Sequence, residues 1–99
     1  MLDLEEAHLE VIKTILSRHI PNLEVRAFGS RVNGNNRRYS DLDLAVMTEK
    51  ELDWEIKSAL EEAFAVSDLP IIVDIVDWAT IDERFQNIVN QFYVVIQKP

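Results

Sequence analysis

The sequence predicts an α+β domain: a mixed, largely antiparallel sheet of three or four strands with helices packed on one face. Three observations carry that expectation. Apolar runs of strand length occur at residues 23–28, 42–47, 71–77 and 93–97. Before and between them lie three segments whose apolar residues recur at helical spacing. Polar breaks containing Pro21, Asn33-Gly34 and Ser67-Asp68-Leu69-Pro70 separate the two kinds of segment.

The first helix is marked by Val11, Ile12, Ile15 and Leu16, with His8 and His19 along or beside the same stripe, and it ends before Pro21. Asp3 followed by Glu6 has the spacing of a capping box. No matching ligand pair accompanies either histidine, so both are assigned to packing rather than catalysis. Residues 23–28 alternate as a half-buried strand does, and a polar loop leads through Ser40 to the second strand at 42–47. Asn33-Gly34 is a turn dipeptide, so the two strands should form a hairpin whose connection is longer than a bare turn. Leu52, Ile56, Ala59, Leu60, Ala63 and Phe64 mark a second helix reaching about Val66, with Thr48 and Glu51 as its capping box and Trp54 off the stripe. An exposed aromatic there would suit a partner surface. Residues 71–77 are almost continuously apolar, which predicts a strand buried on both faces, with Asp74 inside and Asp77 at a solvent-reached end. Thr80 and Glu83 provide a third capping box, and Ile81, Phe85, Ile88, Val89 and Phe92 a third helix. Residues 93–97, short and β-branched, read as a final edge strand.

A chain of 99 residues makes one domain, residues 1–99, able to bury about 60–70% of its unfolded surface without disulfide or metal staples. With no cysteine, disulfides and thiolate metal sites are excluded, which disfavours zinc. No run of eighteen apolar residues occurs and the first six residues are acidic where a signal peptide would be basic, so a soluble, cytoplasmic protein without membrane contact is expected. The net charge of −8 argues against direct nucleic-acid binding, whose affinity rests on neutralising phosphates. Against that background, Arg26, Arg31, Arg37 and Arg38 fall in a thirteen-residue window free of acids. A triphosphate or a polyanionic acceptor could dock there, with Arg31, beside Ser30, the first candidate for phosphate contact.

The function is concentrated in residues 28–46. Asp41 and Asp43 are two positions apart on a strand, so they share a face about 6.6 Å apart while Leu42, Leu44 and Val46 enter the core. Side-by-side carboxylates raise each other's pKa unless a cation lies between them. Hard oxygen ligands select Mg2+ or Mn2+, and Mg2+ completes its shell with water and substrate phosphates. Gly29 lets the backbone approach a phosphate closely and Ser30 adds a hydroxyl and an amide N–H. No Gly-Lys-Ser/Thr follows, so this is not a Walker-type loop. A charge at Asp74, within an apolar strand, also demands a partner or a metal. On a period of two, Asp74 and Asp77 face opposite sides, so only one of them can join the pair.

Gly29-Ser30, nine residues, then Ser40-Asp41-Leu42-Asp43-Leu44 resembles the signature of the nucleotidyltransferase superfamily with the DNA polymerase beta palm fold. In length and wording the stretch is most similar to the minimal nucleotidyltransferases, antitoxin-type partners of HEPN-domain proteins. The resemblance implies two-metal nucleotidyl transfer. Asp41 and Asp43 would bind both Mg2+ ions, Asp74 would match the third carboxylate and accept the proton of the attacking hydroxyl, and Gly29, Ser30 and Arg31 would hold the phosphates. It further implies ATP as the nucleotide and a tyrosine of a HEPN-domain toxin as the acceptor, in a hetero-oligomer. Two other readings stay open: an antitoxin that neutralises its partner by contact alone, and a transferase acting on a small molecule.

Overall fold

The alternation of apolar and acidic residues along 41–46 sets up the strand on which the sheet is built. The computed structural model describes residues 2–34 and 41–99. Its elements run α1 (Glu6–His19), β1 (Val25–Phe28), α2 (Ser30–Asn33), β2 (Leu42–Val46), α3 (Trp54–Ala65), β3 (Val73–Asp77), a 3-10 turn (Trp78–Thr80), α4 (Glu83–Gln91) and β4 (Tyr93–Gln97). The strand order is β3-β2-β1-β4. β1 pairs antiparallel with β2 and with β4, whereas β3 runs parallel to β2, with α3 as the crossover that a parallel connection needs. The expected mixed, mostly antiparallel sheet is therefore present, with β4 at one edge as its sequence suggests.

Register divides the sheet into two chemically distinct faces. Val25, Ala27, Leu42, Leu44, Val46 and Ile96 pack with Ile12 and Leu16 of α1 and Leu60 and Phe64 of α3 in the main core. On the opposite face a smaller cluster joins Phe28, Ala45 and Val89 of α4. The single helical layer expected from the sequence describes α1 and α3; α4 lies across the other face and covers part of it. The rest of that face carries the acids. Among the described residues, no helix is long and apolar enough to cross a membrane.

Three local expectations are corrected. β3 is an edge strand, and burial along it is the reverse of the one predicted: Asp74 is exposed and Asp77 is 2% exposed. Asp77 shares the register position of Val46 and so points into the main core, where it accepts hydrogen bonds from the Thr48 hydroxyl, the Leu52 amide (2.6 Å) and the Ala79 amide (3.3 Å). None of the three capping boxes forms as written. α1 starts after Glu5 and α3 after Asp53, both without side-chain caps, and α4 is capped by Asp82, which accepts from the Phe85 amide at 2.9 Å. The would-be cap residues have other partners instead: Asp3 pairs through its backbone with Arg31 and Thr48 donates to Asp77, both across the fold, while the Thr80 hydroxyl donates to the nearby Asp77 carbonyl at 2.8 Å.

Candidate active site

Asp43 stands on β2 opposite Phe28 of β1 and beside Asp74 of β3, with which it is in register. Asp41, two residues earlier, reaches the same face. The structure thus brings the three sequence-predicted carboxylates together and turns Asp77 away from them. Asp41 and Asp74 are exposed and Asp43 is half-buried. Burial, then the charges of Asp74 and Asp41, push the Asp43 carboxyl above its ordinary value. Asp74 is raised as well, first by burial, then by a hydrogen bond and the charge of Asp41.

Beyond burial, both shifts have a shared cause: the fold sets the carboxyls of Asp41, Asp43 and Asp74 close enough together to disfavour one another's charge. Hard oxygen donors, mutual repulsion and a solvent-open side together fit a Mg2+ or Mn2+ ion. Among the described residues, no three acidic or histidine side chains close into a ready-made cage. That suits Mg2+, which keeps several waters and takes substrate phosphates as ligands rather than requiring an all-protein shell.

Gly29 ends β1 and opens the turn of α2. Its φ of 84° and ψ of −156° belong to a region essentially restricted to glycine. A Cβ there would overlap the Asp43 carboxylate. Its carbonyl accepts from the amides of Val32 and Asn33, both at 3.0 Å, so the backbone turns back immediately after the strand. Ser30 follows, half-buried, on the same turn.

The arginines divide differently from the sequence expectation. Arg31 is 7% exposed and its guanidinium donates to the Asp3 carbonyl at 2.9 Å, while the Asp3 amide donates to the Arg31 carbonyl at 2.7 Å. The side chain thereby ties the segment before α1 to the turn after Gly29. Arg26 pairs with Glu24 (2.5 Å), donates to Asn90 (2.9 Å) and stacks over Tyr93, 4.3 Å from the ring centre. Arg37, Arg38 and Ser40 lie outside the described residues. His8 and His19 belong to α1, on the face away from the acids, as the sequence suggests. Sequence reasoning missed the contact between Phe28 and Phe85, rings edge to face at 6.0 Å, which backs the strand just before Gly29. The helical spacing of Phe85 and Val89 pointed to an apolar face on α4, but not to which side of the sheet it covers.

Known proteins share this fold. The sequence profile of the family described as Polymerase beta, Nucleotidyltransferase matches residues 10–98. A protein of Haemophilus influenzae described as "Probable protein adenylyltransferase MntA" is 50% identical over 97 residues, spanning 98% of this chain and 85% of that protein. Among solved structures, a toxin-antitoxin with AMP-PNP superposes with a TM-score of 0.68 at 27% identity, covering 92% of this chain and 73% of the other. A Shewanella oneidensis MNT antitoxin in complex with its tri-AMPylated HEPN toxin shares the fold, with a TM-score of 0.64 at 24% identity over 97% of this chain and 74% of the other. A profile match across nearly the whole sequence, a half-identical relative and a glycine seated against an acidic pair lead to one conclusion: this chain belongs to the polymerase beta nucleotidyltransferase family.

Proposed function

We propose that this protein is an adenylyltransferase that moves AMP from ATP onto a hydroxyl of a HEPN-domain toxin, a tyrosine being the expected acceptor, and so acts as that toxin's antitoxin in the cytoplasm. The observation that carries the reading is the placement of Asp41, Asp43 and Asp74 on one open face with Gly29 packed against Asp43. The relative named as an adenylyltransferase, 50% identical, supports the choice of reaction, and the related complex with AMP-PNP supports ATP.

In this mechanism Asp41 and Asp43 would hold two Mg2+ ions, with Mn2+ able to substitute, and Asp74 would complete the side nearest the acceptor. Bound metal would supply charge neutralisation for the triphosphate and for the oxygens exchanged at the α-phosphorus. The turn at Gly29-Ser30 offers backbone and a hydroxyl to the β- and γ-phosphates. Asp74, open to solvent and in register beside Asp43, is placed to take the proton of the acceptor hydroxyl as its oxygen bonds to the α-phosphorus. The bond from the α-phosphorus to its bridging oxygen breaks and pyrophosphate leaves. Arg31 contributes indirectly, by fastening the N-terminal segment across the turn that begins at Gly29.

The test is the intact mass of the product of the adjacent gene, co-expressed with the wild type and with Asp41→Asn/Asp43→Asn. AMP adducts only with the wild type are expected. An unmodified partner that is still bound and inhibited would instead identify an antitoxin acting by contact.

A further inference from the structure

α4 presents more apolar surface than its own packing uses, and it does so on the face that carries the aspartates. Val89 seals the helix to the sheet against Phe28 and Ala45, and Phe85 sets its ring against Phe28. Ile88 and Phe92 are left 55% and 63% exposed. At 3.6 residues per turn Phe85 and Ile88 lie about 60° apart on α4, and Phe92, in extended conformation, follows its last residue, making a stripe that runs off the end of the helix. Tyr93, 40% exposed and paired with Phe28, extends it onto β4. Phe85 is the member that leans on Phe28, whose neighbour Gly29 abuts Asp43. The stripe is therefore the apolar border of the acidic site.

We infer that this stripe is the docking surface for the acceptor protein, which meets it with an apolar patch rimmed by Lys and Arg. The inference rests on the transferase reading, because a protein hydroxyl can reach Asp74 only if its owner lies across the borders of this face. An exposed apolar patch beside an open polar site is the usual mark of such contact. Charge selects the occupant. A second copy would bring another −8 to the interface, and Asp82 and Glu83 at the start of α4 add acid beside the stripe. A basic rim is attracted where a second copy is repelled. Trp54, exposed by 74% and singled out from the sequence as a partner marker, begins α3 on the opposite face and does not border the site.

Ile88→Glu/Phe92→Ser tests this, with the purified product of the adjacent gene as the probe. The variant should bind the probe roughly a hundredfold more weakly or worse, as loss of anchoring apolar residues does. Its melting temperature and its affinity for AMP-PNP with Mg2+ should match the wild type. Should the double variant fail to fold, Phe92→Ser alone is read in the same assay. Undiminished affinity in a folded variant, or no binding of the probe by the wild type, overturns the docking surface. So does a wild-type dimer that the variant splits, which would give the stripe to a second copy. Tight wild-type binding without AMP transfer, lost in the variant, would overturn the transferase reading and leave the docking surface standing.

Discussion

The Asp43 carboxylate fills the space that a Cβ on Gly29 would need. The glycine is thus required twice, for a backbone conformation closed to other residues and for the approach of the acid. Gly29→Ala should destabilise the protein by about 1–3 kcal/mol through backbone strain alone and displace Asp43 as well. Urea denaturation and AMP-PNP titration would show it; an alanine variant with wild-type stability and nucleotide affinity would mean that the turn relaxes and the contact is dispensable.

Stability without metal should carry the signature of the acidic cluster. Asp43 and Asp74 are raised above the ordinary 3.8, so the folded protein binds their protons more tightly than the unfolded chain does. Stability then falls as pH rises from about that value through the raised folded values, and levels off above them. In EDTA, Asp43→Asn should flatten this slope and gain stability relative to wild type as pH increases across the window. Parallel pH profiles for the two proteins would show that Asp43 is relaxed by something other than its neighbours' absence of charge.

A divalent cation should reverse the same penalty. Mg2+ at a hundred times its dissociation constant should stabilise the wild type by about 2.7 kcal/mol. At the same concentration Asp43→Asn should gain far less. Equal shifts in melting temperature for both would place the cation elsewhere.

Asp74 and Asp77, three residues apart on one strand, should separate cleanly by phenotype. Asp77 is buried with three donors around it, so Asp77→Ala should cost about 2–4 kcal/mol by leaving them without their charged acceptor. Asp74 is exposed, and Asp74→Ala should leave the fold intact while lowering AMP transfer by more than about a hundredfold, the scale of losing a group that acts at the reacting centre. The comparison needs only thermal melting and a transfer assay, and an active Asp74→Ala would move the proton acceptor to another group.

The site was readable because its parts are local. Asp41 and Asp43 two apart in a strand must share a face, and Gly29-Ser30 at the end of an apolar run must stand at the strand's mouth. Neither conclusion depends on what packs where. The helix starts were unreadable for the opposite reason. Asp3, Thr48 and Thr80 each have an acid three residues on, yet Asp3 and Thr48 found partners far along the chain, in Arg31 and Asp77, and Thr80 turned back to the Asp77 carbonyl. Local spacing proposes a cap and a stronger bond elsewhere removes it.

By itself, then, the sequence determined the three long helices and four strands, though not the short α2 inside the expected loop, and it determined the pairing of Asp41 with Asp43 and the glycine beside them, because side-chain periodicity and backbone sterics act over a few residues. Only the tertiary structure decided which acid of β3 completes the cluster, since that depends on its parallel register with β2. The same register sends Asp77 into the core and leaves Asp74 beside Asp43. It also decided that α4 lies on the acidic face, with an apolar edge next to the site: a helical stripe shows that a face is apolar, and only packing shows what it faces.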